Sequence, residues 1–321
     1  MLARMSTPTL PLYGAIEAGG TKFECALARG AESILALERI PTGAPDQTFD
    51  AVIRFFEVAQ QQHGAIEAFG LASFGPLDLN PRSPGFGQLL ATPKAGWSHY
   101  DMTARLRRHF GRSVYLDTDV NAAALAEWRA RDAVNSLVYV TVGTGIGGGV
   151  VFDGQSRREP WHPEMGHIRV QRHARDETFA GVCPFHRDCL EGLANGPAIV
   201  ARWGRPMSAL LEDALACEIV GDYLGQLAAT IALLLAPDCI VFGGGVMSGG
   251  GLLPQVRRSA QRQLGGYLLH PRLREQLQYF IVPPALGERS GLLGALALAA
   301  AGTRIGATAV SGGSDGHDAA K

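Results

Sequence analysis

The stretch GVCPFHRDCLEG sets Cys183, His186 and Cys189 close together in a chain with only five cysteines. Two thiolates and an imidazole at this spacing suit a tetrahedral zinc ion. Spacing leaves the fourth ligand open among His162, His167 and His173, all upstream. The competing reading is a chance coincidence of surface side chains. A disulfide framework is not indicated, because an odd number of cysteines is spread thinly over a long chain, which points to a reduced, cytoplasmic protein. A fourth protein ligand would close the coordination sphere and mark a structural zinc, one that activates no water. His63, His99, His109 and His270 read as ordinary surface or core residues. Cys25, Cys217 and Cys239 lie in apolar segments and read as packing residues.

A second candidate is the acid pair Asp117 and Asp119 in YLDTDVNAAALAEW, where a strand gives way to a helix. A carboxylate at the C-terminal end of a strand in an α/β protein points into the binding crevice. Asp119 is equally suited to cap the helix that follows. The chemical reading is a general base that takes a proton from an acceptor hydroxyl, a role worth about 10²–10⁴-fold in rate.

Glycine clusters are the third. Gly19-Gly20-Thr21, Gly143-Thr144-Gly145 and Gly243-Gly244-Gly245 each follow an apolar strand. Glycine there lets the backbone approach an anion and turn several N–H groups towards it. Any one of them could be a tight hairpin; three together favour a nucleotide phosphate site. GTGIGG matches G-x-G-x-x-G, but that motif needs a helix behind it, and GGVVFDG reads as a strand and a turn. The Rossmann reading is therefore rejected, and the Walker motif of P-loop enzymes is absent.

These residues need elements to hold them. LYGAIEAGGTKFECALARG reads strand, glycine turn, strand, and SLVYVTVGTGIGGGVVFDG repeats the pattern later in the chain. QTFDAVIRFFEVAQQQHG, YDMTARLRRHFG and VNAAALAEWRARD have helical spacing; AFGLASFG, SVYLDTD and CIVF read as strands. Residues 208–236 form an Ala/Leu-rich helical stretch ended by Ala236-Pro237. The class is α/β, with two similar domains. A length of 321 residues agrees, since it exceeds the usual size of a single core. The expected division is 12–121, completed by a C-terminal helix over 290–301, then 122–289 with the zinc residues, and a polar, glycine-rich disordered tail over 302–321. Hydrophobic content of 46%, charged content of 18% and a net charge of −1 describe an ordinary globular protein and predict neither nucleic-acid nor membrane binding. The runs IALLLA and GLLGALALAAAG fall short of the roughly 18 apolar residues of a membrane span.

EAGGTKF, TDVNAAALAE, TVGTGIGGG, HPEMGH, the cysteine cluster ending in CLEG, and FGGGV occur in the order seen in the ROK family of sugar kinases. SFGPLD, ATPKAGWSHYD and CPFHRDCLEGLANGPAI most resemble its bacterial fructokinases, and the resemblance runs from about residue 13 to 300. It implies an actin-like ATPase (ribonuclease H-like) architecture, with a nucleotide and sugar cleft between the two domains and a structural zinc. It implies ATP with magnesium as cosubstrate, a hexose acceptor, and a homodimer. By the same resemblance Asp119 is the base, and Glu164, His167 and Glu191 bind the sugar. Gly19, Gly20, Thr21 and Lys22 form the first phosphate hairpin, with Thr144 and Gly145 in the second. Pro197 and the run Gly243, Gly244, Gly245, Val246 and Met247 meet the nucleotide. The resemblance selects His167 as the fourth zinc ligand, with His186 replacing one of the family's usual cysteines.

Two positions depart from the family pattern. Glu17 stands where Asp is commoner, and Thr118 where many relatives carry a sugar-gripping Asn, a change in keeping with a ketose. The expected reaction is fructose to fructose 6-phosphate, with a glucose, mannose or N-acetylmannosamine kinase as the rival. A sugar-sensing repressor of the same family should carry an added N-terminal helix-turn-helix. The first hairpin begins close to the N-terminus and leaves no room for one.

Overall fold

The first apolar run becomes β1 (Leu12–Ala18), buried over almost its whole length, as a strand flanked on both sides must be. The computed structural model describes residues 10–311 apart from 32, 93 and 158–161. These divide into two compact units, one holding the described residues up to 122 together with those from 291 to 311, the other residues 123–290.

In the first unit the chain runs through β1, β2 (Lys22–Arg29), β3 (Ser33–Pro41), α1 (Pro45–His63), β4 (Ile66–Ser73), α2 (Met102–Phe110) and β5 (Ser113–Thr118). α3 (Asp119–Arg129) then carries the chain across the unit boundary. The sheet order is β3-β2-β1-β4-β5, with β1, β2 and β3 antiparallel in turn and β1, β4 and β5 parallel. Phe23, Phe49, Phe56, Phe69 and Trp97 fill its core.

The second unit holds β6 (Ser136–Val142), β7 (Ile146–Phe152), β8 (Gln155–Ser156), α4 (Leu190–Ala194), α5 (Gly196–Trp203), α6 (Ala214–Leu235), β9 (Cys239–Gly243), α7 (Leu253–Leu264), the short α8 (Pro271–Arg274) and α9 (Leu277–Phe280), and β10 (Ile281–Val282). Its sheet, β10-β9-β6-β7-β8, repeats the first pattern: an antiparallel three-stranded meander with two parallel strands on the far side. α6 is long and apolar enough to cross a membrane by length and composition, unlike the shorter runs noted in the sequence. Most of its most apolar window is buried inside this unit, against α7 and the sheet.

The chain returns to the first unit in α10 (Ser290–Ser311). Small residues let this helix press on the sheet: a Cβ on Gly70 of β4 would lie 1.8 Å from the Ala295 carbonyl. The helix does not stop near residue 301 but continues to Ser311, into the stretch expected to be disordered. The segment GTRIGATAV contains no proline, and extending a formed helix costs little. The rest of the expected tail, 312–321, lies outside the described residues.

Candidate active site

The parallel strands of the first sheet end in register, with Ala18 beside Ser73 and Ser73 beside Thr118. Gly19 and Asp119 therefore both follow one sheet edge, where a parallel α/β sheet presents its ligands. The Thr118 hydroxyl accepts the Asn121 N–H at 3.1 Å, so threonine caps α3 in place of Asp119. Asp117 is fully buried, its Oδ1 accepting from the Thr118 amide and Asn121 Nδ2 at 2.8 Å each. Asp119 is only half-buried, and its Oδ1 takes the Val120 N–H at 2.9 Å. One acid is locked in the interior and the other stays reachable. Thr118 is 2% exposed with its oxygen engaged in the cap, so what it retains for a ligand is its hydroxyl proton.

Glu17 lies on β1 just before the glycine turn. Its carboxyl covers Gly291, where an added Cβ would come within 2.3 Å of Oε1, and it accepts the Leu292 N–H in the first turn of α10. Burial pushes this carboxyl up to about 7, and the negative charges of Asp119 and Glu24 push the same way, against Lys22 and the Leu292 amide. Nearby, Lys22 and Arg39 both pair with Glu24, at 2.6 and 2.7 Å. At Gly20 no neighbour lies within 4 Å of where a Cβ would stand, and the same holds at Gly143 and Gly245. Packing against neighbours does not account for glycine at these three positions.

In the second unit the β6–β7 tip is built into its neighbours. Gly196 donates its N–H to Gly143 at 2.7 Å, and Asn195 Nδ2 donates to the Thr144 carbonyl at 2.9 Å. Asn195 also caps α5 by accepting the Ala198 N–H at 2.8 Å, with Pro197 in the first turn. Val246, in the turn after β9, lies 3.9 Å from the Cβ position of Gly196. At Gly244, φ is 89° and an added Cβ would meet the Val142 carbonyl at 2.5 Å, so glycine is required there twice over. Thr144, Gly145, Pro197 and the run Gly243–Met247 are thus brought together around the start of α5, whose first-turn amides are taken by Gly143 and Asn195 and whose dipole favours an anion.

Glu191 and the turn that carries Glu164 and His167 both lie against the start of β7 in this unit. The Ile146 amide donates to Glu191 Oε2 at 2.8 Å, while Gly166 packs so closely that a Cβ would lie 1.9 Å from the Ile146 carbonyl. The start of β7 therefore fixes both the PEMGH turn and the CLEG helix. Glu164 is exposed, with its carbonyl accepting the His167 N–H at 3.0 Å.

The metal candidates converge in the same place. Ligand atoms of His167, Cys183, His186 and Cys189 all lie within 4.8 Å of one another. His167 Nδ1 stands 3.8 Å from Cys183 Sγ and 3.6 Å from Cys189 Sγ, and His186 Nδ1 stands 3.8 Å from Cys183 Sγ. A tetrahedron with Zn–S near 2.3 Å and Zn–N near 2.1 Å has an S–N edge of about 3.6 Å, so the donor set fits that ion. Cys183 and Arg187 exchange backbone bonds at 3.1 and 2.9 Å, and Arg187 adopts φ 59° to close the knuckle. Cys25, Cys217 and Cys239 are buried.

Some supporting groups escape a reading of the sequence. Asn195 carried a signal, since Asn before Gly-Pro marks a helix start. Glu127 carried none. It is fully buried and accepts from the Ala285 and Leu286 amides at 2.9 and 3.0 Å, the Ser290 hydroxyl at 2.6 Å, and Arg131. Asp176, 4% exposed, takes the Tyr223 hydroxyl at 2.7 Å and Arg202 at 3.0 Å, tying the excursion that carries the cysteines to α5 and α6.

The chain is similar to known proteins. A fructokinase of Zymomonas mobilis is 43% identical over 295 residues, covering 90% of this chain and 97% of its own. A fructokinase of Pediococcus pentosaceus is 40% identical over 295 residues, covering 90% and 98%. Among solved structures, a ROK hexokinase from Thermus thermophilus superposes with a TM-score of 0.74 at 27% identity, covering 92% of this chain and 99% of that one. The ROK family description matches residues 13–301. With that span matched, the chain belongs to the ROK family.

Proposed function

We propose that this protein is an ATP-dependent sugar kinase that converts D-fructose to D-fructose 6-phosphate. The observation that carries the reading is Asp119, a reachable carboxylate at the sheet edge beside the first glycine hairpin, in a chain at least 40% identical to two fructokinases. The C6 hydroxyl oxygen attacks the γ-phosphorus of ATP, its proton passes to an Asp119 carboxylate oxygen, and the bond to the β–γ bridging oxygen breaks to release ADP. A half-buried carboxylate, not consumed by a helix cap, suits that proton transfer. Phosphoryl transfer otherwise depends on positioning and neutralisation of charge, and magnesium supplies part of the latter when bound with ATP.

Gly19 to Lys22, Thr144, Gly145, Pro197 and Gly243 to Met247 are assigned to the nucleotide, and Glu164, His167 and Glu191 to sugar hydroxyls. Thr118 contributes a hydroxyl donor. His167, Cys183, His186 and Cys189 would hold a zinc ion whose part is structural, since four protein ligands leave no position for water. Glu191 follows Cys189 by two residues, and His167 is shared, so the metal site braces the sugar site. The protein is assigned to the cytoplasm, as a homodimer whose mass size-exclusion chromatography with light scattering would report. The Thermus hexokinase keeps a second reading, a broader hexose kinase, in play. A coupled ATP assay over fructose, glucose, mannose and N-acetylmannosamine separates the two. A fructose kcat/KM well above the others supports the proposal; preference for an aldose refutes it.

A further inference from the structure

The β1–β2 tip is held by three bonds to successive carbonyls. The Gly19 carbonyl accepts the Thr42 hydroxyl at 2.9 Å, the Gly20 carbonyl accepts Lys94 Nζ, and the Thr21 carbonyl accepts the Thr42 N–H at 3.0 Å. In a trans peptide the carbonyl and the next N–H point in opposite directions. Each clamped carbonyl therefore turns the amide that follows it, that of Gly20, Thr21 or Lys22, away from the clamping group. A backbone amide at a turn that is not used within the fold can donate to an anion. Among the described residues no acceptor is seen for the Gly20 and Thr21 amides, and Gly20 has open space where a side chain would stand.

Lys94 is placed for this work by a rigid anchor. Its carbonyl accepts the Trp97 N–H at 3.1 Å. The fully buried Trp97 donates Nε1–H to Gly43 at 3.0 Å and lies against Phe23 of β2, ring centroids 5.5 Å apart. The turn bearing Lys94 is thus fastened to the hairpin it clamps. Lys22, on the hairpin itself, has its charge matched by Glu24 at 2.6 Å. Lys94 instead spends its ammonium on a neutral carbonyl, and a cation there also polarises the peptide and strengthens the Thr21 N–H as a donor.

We propose that Lys94 is a positioning residue for phosphate binding: by clamping the Gly20 carbonyl it aims the Thr21 amide at the terminal phosphates of the nucleotide. Thr42 does the same for the amides on either side. The inference rests on the kinase reading of the site. It is tested in the full-length protein by titration calorimetry of Lys94→Met, Lys94→Arg and Thr42→Val with magnesium AMP-PNP and with AMP, alongside KM values for ATP and fructose. Lys94→Met should weaken AMP-PNP roughly tenfold, the scale of one lost charge-assisted bond, and raise the KM for ATP. AMP affinity and the KM for fructose should hold, Lys94→Arg should recover most of the loss, and Thr42→Val should reproduce it. Unchanged AMP-PNP affinity in Lys94→Met and Thr42→Val overturns the inference, as does an equal loss for AMP. Wild-type protein that binds no AMP-PNP overturns the kinase reading beneath it.

Discussion

Glu17→Gln should make the ligand-free protein more stable at neutral pH, although it removes a charged side chain beside the candidate site. In the unfolded chain this carboxyl ionises near 4.5; in the fold it ionises at about 7. Between those values the native state holds a proton that the unfolded state has lost. Stability therefore falls as pH rises, by about 1.4 kcal/mol per pH unit from this group alone. The loss is complete once pH passes the folded value and amounts to about 3 kcal/mol. Glutamine keeps an oxygen to accept the Leu292 N–H and carries no charge against Asp119 and Glu24, the groups that repel the ionised form. Urea unfolding of wild type and variant across pH 4.5 to 8 provides the assay. The two should converge at the acid end and separate progressively towards pH 7, the variant being the more stable. A stability difference that stays constant over that range would refute the reasoning, because only a titrating Glu17 gives it a slope.

Carefully purified protein should contain about one zinc per chain by elemental analysis, and Cys183→Ser should lose it together with sugar affinity; wild-type protein without zinc removes the metal assignment. Glu127→Gln should cost roughly 3–5 kcal/mol in urea unfolding, because Arg131 and three donors around Ser290 lose a buried charged acceptor.

The class, both glycine hairpins and most helices were legible because their signals are local. Buried strands write continuous apolar runs, and Gly-Thr tips mark the turns between them. β3 was not read, since an edge strand with mixed exposure carries no such run. The acid pair could be located but not sorted. Whether Thr118 or Asp119 caps α3 depends on which oxygen reaches the Asn121 amide, and spacing does not distinguish neighbours. Three of the four candidate zinc ligands stood out as a cluster, while His167 was selected only by resemblance. Lys94 and Glu127 were invisible as partners because they act across long separations, to Gly20 and to residues 285–290. The membrane-length character of α6 was missed because Glu218, Asp222 and Gln226 divide its apolar residues into short runs.

If Asp119 takes the proton in an ATP-dependent phosphorylation of fructose, steady-state turnover of wild type and Asp119→Asn with fructose and ATP reports it. Wild type should form fructose 6-phosphate, and kcat should be lower by about 10²–10⁴-fold in the variant, with AMP-PNP affinity unchanged. Turnover by Asp119→Asn at the wild-type rate would contradict it.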